Sequence, residues 1–262
     1  MSRYFIELTQ PEIKAQFERH PLVILPCGSV EQHGAHLPTG TDIFAANSVS
    51  HAVAEQMDGV VLPGGPLGVT PMHMPYEATI SLSPETYQQV VIETCLSTAR
   101  HGAKKLLIVN WHEGNSASLG LAAEKLHRSH GMSVVIAQAC YVAEDLWGPD
   151  CNGLTHAGEI EALAVLPDHG HLVHLDRAQK SSEKRQGEHM DKLRRTRSFV
   201  PILTDIRSIA PTGWYGDPSP ATADRGRKMI ADIASAIAAE ATAIFAQLDK
   251  IQGASTKTEA AE

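Results

Sequence analysis

Within "GSVEQHGAHLPTGTD", residues 28–42, the chain places Glu31, His33, His36 and Asp42 in a stretch with almost no apolar run. Two further groups are of the same kind: His112 and Glu113 in "NWHEGN" (110–115), and His156, Glu159 and Glu161 in "THAGEIEAL" (155–163). Carboxylate oxygen and imidazole nitrogen are the donors that Zn²⁺, Mn²⁺ and Fe²⁺ accept together, so metal binding is the chemistry these residue types could do. Each residue taken singly has a plainer use. Asp42 could cap a helix starting near Ile43. Glu159 and Glu161 could complement the dipole of a helix's first turn. A lone loop histidine more often faces solvent or caps than ligates. The weight rests on coincidence, three acid-and-histidine groups of which two directly follow apolar runs.

Those apolar runs are the elements that must position the groups. "LVILP" (22–26), "GVVLP" (59–63), "KLLIVN" (105–110) and "SVVIAQA" (133–139) have the length and β-branched content of strands buried on both faces. Between them, 43–56, 83–102 and 116–131 carry apolar residues at three- and four-residue spacing, as amphipathic helices do. Ser83-Pro84-Glu85 predicts the start of the second, and Gly102 its end. This alternation predicts an α/β fold with a mainly parallel central sheet flanked by helices. Ligands of such sheets collect outside the carboxyl ends of the strands, which is where the first two groups sit. A long helix is expected at about 222–249, and 253–262 reads as a disordered tail. Residues 1–252 read as a single domain, with a charged excursion at 181–199 that serves either as a lid or subunit contact or as a solvated loop.

Composition narrows the partners. Of 262 residues, 43% are hydrophobic and 20% charged, enough for a substantial core without disulfides. A formal charge of −8 with no dense basic patch argues against a nucleic-acid partner. No stretch approaches the roughly 18 uninterrupted apolar residues of a membrane span. The start, "MSRYFIELTQPEIKAQ", lacks the apolar region of a signal peptide, so a cytoplasmic location without membrane is expected. Cys27, Cys95, Cys140 and Cys151 show no CxxC spacing and are expected as reduced thiols, Cys27 either as a core residue or as lining for the site.

"GSVEQHGAHLPTGTD", "NWHEGN" and "HAGEIEAL", in this order, resemble the creatininase (creatinine amidohydrolase) family, and "GWYGDPSPATADRGR" (213–227) resembles its C-terminal signature. The resemblance implies an α/β sandwich assembled as a homohexamer, with two divalent ions per subunit (zinc first, manganese or iron as alternatives) that share a hydroxide and hydrolyse the C–N bond of a small amide, often cyclic. By motif position it implies that Glu31 and His112 hold one ion, His33 the other, and that Asp42 bridges both. The creatininase glutamate that completes the second site falls at Gly114 here, so the fifth ligand is assigned to Glu159 of "HAGE". Glu113 is then left for substrate contact or for support behind a ligand.

His156 resembles the histidine that shuttles a proton to the leaving nitrogen. Thr155 and Trp111 replace a glutamate and a glycine of the family, which weighs against creatinine itself. "TPMHMPYEATISLSPET" (70–86) resembles a family stretch in which Pro-Gly has become Glu77-Ala78. His73, Tyr76, Trp111 and Glu113 are therefore expected around the substrate, with Met72 and Met74 as apolar wall. The expected activity is hydrolysis of a small cyclic or aromatic amide. Within the family the alternatives are a formylamino-pyrimidine nucleotide deformylase, for which Arg225 and Arg227 would be the phosphate-binding candidates, and a peptidase of short precursor peptides. Outside it stands a metal- or ligand-binding oligomer without turnover.

Overall fold

A computed structural model describes residues 2–65, 67–151, 153–178 and 202–259. Four strands, β1 (Leu22–Cys27), β2 (Val60–Val61), β3 (Lys105–Asn110) and β4 (Ser133–Gln138), form a parallel sheet in the order β2-β1-β3-β4. Cys27 pairs with Asn110 and Asn110 with Gln138, so three strands end level and their loops leave from one edge. The apolar runs are continuous because successive side chains point to opposite faces and both faces are covered. Leu22, Ile24, Leu107 and Val109 enter one core, while Val23, Leu25, Leu106 and Ile108 enter the other. The run 59–63 yields only two strand residues. The Leu62 amide still reaches the Ile24 carbonyl at 2.8 Å, while the Val61 amide turns outward to the Arg3 carbonyl at 2.7 Å.

Helices α1 (Gln10–Arg19), α3 (Pro84–Ala99) and α4 (Ser116–His130) cover the second core. The first is covered by α2 (Thr41–Met57), α5 (Ala139–Trp147), α6 (Glu159–His169) and α7 (Ala223–Glu259). Ser83 caps α3 as its sequence predicts, the hydroxyl oxygen accepting from the Thr86 amide at 3.2 Å. Helices α1 and α5 lie outside the periodic segments read from the sequence. Helix α7 continues into the segment 253–262 expected as a tail, of which 260–262 lie outside the described residues, as does the excursion 181–199. By length and composition alone Ala223–Ile251 could cross a bilayer, yet Met229, Ile233, Ala234, Ile237 and Phe245 on it are buried in the first core.

Candidate metal centre

Glu31, His33, Asp42, His112 and Glu161 meet beyond the carboxyl ends of β1 and β3, and all five are buried. Asp42 opens α2 but its carboxylate does not cap it. Its Oδ1 lies 3.4 Å from His33 Nε2 and its Oδ2 3.1 Å from His112 Nδ1. Glu31 Oε2 stands 3.3 Å from the same His112 nitrogen, and Glu161 Oε2 3.4 Å from the same His33 nitrogen. Among the described residues three donor groups result, Glu31–Asp42–His112, His33–Asp42–Glu161 and Glu31–His33–His156, each with its donor atoms within 4.8 Å of one another, and the first two share Asp42. Asp42 offers a separate oxygen to each of those two.

The histidines are oriented to present lone pairs inward. His33 Nδ1 donates to the Glu31 carbonyl at 3.1 Å, which leaves Nε2 buried between two acids with no hydrogen-bond partner. His112 Nε2 donates to the Val69 carbonyl at 3.1 Å, turning Nδ1 toward Glu31 and Asp42. An outer N–H anchored on a carbonyl with the inner nitrogen free is the arrangement of ligating histidines. Burial alone would push both imidazoles down, but the acids outweigh it. Glu161 and Asp42 hold His33 well above its ordinary value, and Glu31 with Asp42 raises His112 to about 9. Burial pushes Asp42 up, and the two histidines overcome it to hold the carboxyl well below its usual range. Burial raises Glu161, with His33 partly offsetting it. Acids that draw protons onto lone-pair donors form a site in which a divalent ion can replace those protons.

Uncharged residues hold the frame, and nothing in their types or spacing marked them out. Ser29 Oγ lies 2.9 Å from Glu31 Oε2 and 2.8 Å from Asp42 Oδ2, and Thr70 also donates to Glu31. Asn115 donates to the Gly28 carbonyl and accepts from the Val69 amide, both at 2.9 Å, tying the loop after β1 to the one after β3.

The structure does not bring Glu159 to the cluster. Its Oε1 is held by Arg225 Nη1, and it is the Glu161 carboxylate that faces His33. Two residues along a helix turn through about 200°, so only one of the pair can face the site. Gly114 offers no alternative, since a Cβ there would stand 2.4 Å from both His112 Nε2 and the Val69 carbonyl oxygen. The glycine is what lets that hydrogen bond form.

A cavity of about 420 Å³ opens over the cluster, and Trp111, Glu113, His73, Met72, Leu203 and Ile206 are among its lining residues. Tyr76 stands outside that lining. Its hydroxyl donates to the Pro211 carbonyl at 2.5 Å and its ring packs near Ile206 and Tyr215. Met74 is exposed, and Ala78, which replaces the family glycine, takes φ 64°. Cys27 belongs to the core, whereas Cys140 lines the cavity. His36 donates to the Ala157 carbonyl at 2.8 Å and so braces the 155–158 loop.

His156 Nε2 donates to the Gln32 carbonyl at 2.8 Å, which directs Nδ1 at the cluster, 3.8 Å from Glu31 Oε1. Burial, then the neighbouring His73 and His33, holds its imidazole well below the ordinary value. Among the described residues Arg225 is paired with Glu159 and Arg227 with Asp224, and neither is among the residues lining the cavity.

A parallel α/β sheet carrying two donor groups that share one aspartate at its carboxyl edge is the architecture of a metal-dependent hydrolase. The family model described as creatininase, creatinine amidohydrolase, matches residues 6–241. The chain belongs to the creatininase family of hydrolases, as its motifs implied. A mycofactocin precursor peptide peptidase of Mycobacterium ulcerans is 31% identical over 222 residues, 81% of each chain. A creatinine amidohydrolase of Pseudomonas putida is 29% identical over 193 residues, 65% of this chain and 74% of that one. A solved structure titled creatininase Mn superposes with a TM-score of 0.76 at 23% identity, covering 92% of this chain and 97% of that one, and bears out the fold.

Proposed function

We propose that this chain is an amidohydrolase that holds two divalent metal ions and splits the C–N bond of a small, partly apolar amide. Glu31, Asp42 and His112 would hold one ion, and His33, Asp42 and Glu161 the other. The observation that carries the reading is Asp42, whose two oxygens face two different histidine lone pairs. Zinc is the first choice, with manganese or iron as alternatives for an oxygen/nitrogen donor set. Bound there, such ions polarise a carbonyl and lower the pKa of water.

His156 supplies the proton traffic. Kept neutral by burial, it can take the proton released by the attacking water at Nδ1 and pass it to the amide nitrogen, which cannot leave as an amine anion. Trp111, Met72, Leu203 and Ile206 give the cavity an apolar wall, His73 and Glu113 its polar contacts. Tyr76, fixed to the Pro211 carbonyl, acts behind that wall and not on the substrate.

The particular amide has two readings. A small cyclic or aromatic amide suits the flat Trp111 wall. Cleavage of a short precursor peptide is favoured by the relative named as a peptidase, which aligns over 81% of the chain. The nucleotide deformylase reading is weakened because its phosphate candidates, Arg225 and Arg227, are not among the cavity-lining residues. We further infer a homohexamer in the cytoplasm, supported by the family and by an apolar groove along the outer edge of β4 that includes Ile136, Val142, Leu146 and Ile244.

Metal analysis joined to a hydrolysis panel of lactams, hydantoins, formamides and short peptides is the test. Two ions per subunit with turnover in one substrate class supports the enzyme and chooses the amide. Stoichiometric metal with no turnover across the panel, even after exchange of zinc for manganese or iron, would favour a binding oligomer.

A further inference from the structure

Glu159 is buried to 2% exposure in the first turn of α6, two residues before Glu161, and makes no contact with the metal cluster. A carboxylate in such a place needs a partner, because an unpaired buried charge is costly. Its partner comes from the far end of the chain. Arg225, in the first turn of α7, places Nη1 on Glu159 Oε1 and donates from the same nitrogen to the Pro220 carbonyl at 2.9 Å, while Nη2 lies 3.6 Å from Cys151 Sγ. Its guanidinium also sits over the Trp147 ring, 5.8 Å from the centroid. The next residue, Gly226, permits this approach. A Cβ there would lie 2.2 Å from the Leu163 carbonyl oxygen and 2.8 Å from the Pro167 ring, so any side chain would push α7 off α6.

The turn held in this way is the one that aims Glu161. Ala157, just before the helix, adopts φ 58°, a conformation an alanine does not choose unaided. Its amide donates to Glu161 Oε2 at 2.5 Å, and its carbonyl accepts from His36. Glu161 is therefore fixed to a strained loop on one side and to the helix backbone on the other. Gly158 stands at the N-cap position and supplies no side-chain cap. The Arg225–Glu159 pair anchors the first helical residue through its side chain.

We propose that Arg225 and Glu159 form a clamp that sets the first turn of α6 and thereby positions Glu161 at the second metal group, so that both are positioning residues for that one ion. The inference rests on the two-ion reading above. It gives the glutamate of "HAGE" a task distinct from ligation and explains why an arginine from the C-terminal signature is found beside it.

The test is metal binding, measured apart from turnover. Ion-free protein is titrated with Mn²⁺ or Zn²⁺ by calorimetry and chelator competition for the wild type, Arg225→Met, Arg225→Lys, Glu159→Gln, Glu161→Gln and the double variant Glu159→Gln/Arg225→Met. Loss of an outer partner typically weakens a site about 10–100-fold. Arg225→Met and Glu159→Gln should each weaken one of the two ions by that range and leave the other within about threefold, and the double variant should lose no more than either single. Arg225→Lys keeps the charge but not the fork, serves as the test should the methionine variant fail to fold, and should fall between. Glu161→Gln should remove that ion. Unchanged affinity for both ions alongside a lowered melting temperature would overturn the clamp and reduce the pair to a structural contact. Complete loss of one ion in Glu159→Gln with both retained in Glu161→Gln would make Glu159 the ligand and overturn it too. A wild type that binds no ion would instead sink the reading on which it rests.

Discussion

Helix α2 carries an aspartate at each end, and the two live in opposite worlds. Asp42, at the carboxyl edge of the sheet, is buried and faces two imidazoles that can give up their protons. Asp58, at the C-cap, is partly exposed and faces two guanidinium groups that cannot. Arg3 binds its Oδ1, and Arg19 reaches Oδ2 through Nε at 3.1 Å and Oδ1 through Nη2 at 2.9 Å. The second aspartate is a completed ion pair, charge against permanent charge. The first has partners whose lone pairs turn the same way as its own, which makes the arrangement unfavourable until a proton or a cation arrives. The candidate site lies where charges are left unfinished.

The same substitution at both ends is the sharpest way to break the comparison. Asp42→Asn removes the only group common to both metal sets while nearly preserving volume. It should release both ions and lower kcat/KM by at least about 10³-fold, since the ions supply several kcal/mol of transition-state stabilisation at 1.36 kcal/mol per tenfold. Elemental analysis and turnover on whichever amide the panel identifies would check this. Retention of both ions in the purified variant would mean that Asp42 does not bridge.

A middle-sized effect concerns stability. Ions that bind only the folded chain stabilise it by mass action, by about 2.7 kcal/mol for one site at a hundredfold excess over Kd. For a chain of this size each kcal/mol moves the midpoint by roughly 2–4 °C. Chelation should therefore lower the melting temperature of the wild type by about 5–10 °C and leave that of Asp42→Asn almost unmoved. An equal drop in both proteins would place the stabilising metal somewhere other than at this aspartate.

Much of this contrast was legible in the sequence, and the illegible part has a physical reason. The strands showed themselves because a sheet covered on both faces needs continuous apolar runs, and the clusters because they directly follow β1 and β3. Asp42 and His112, which the structure brings within 3.1 Å of each other, were singled out in this way. Glu161 was seen as a member of its group but Glu159 was preferred, because the choice depends on which way one helical turn faces, and the partner that holds Glu159 away from His33, Arg225, lies 66 residues along the chain. Ser29, Thr70 and Asn115 left no trace, since small polar residues after a strand are common and only the fold shows what they hold. Asp58 gave no signal for the same reason: its partners, Arg3 and Arg19, are 55 and 39 residues away.

The smallest effect is expected at that second aspartate. Asp58→Asn keeps a residue tolerant of its φ of 53° and removes only the charge. Because the side chain is 38% exposed, solvent screens the pair, and the loss should stay within about 1 kcal/mol, or some 2–4 °C, with ion content and turnover unchanged. The pH dependence has a definite sign. Burial pushes the Asp58 carboxyl up, but Arg3 and Arg19 together outweigh it and lower its folded value. Its contribution is therefore fully present above the unfolded value of about 3.9 and is lost as pH falls through the lowered folded value. Thermal melts of wild type and variant should differ at neutral pH, converge in acid, and differ less at 0.5 M salt, roughly where screening reaches contact distances. A loss that persists unchanged into acid would mean that Asp58 acts through its hydrogen-bonded shape and not its charge, and the two ends of α2 would then be less unlike than their partners make them.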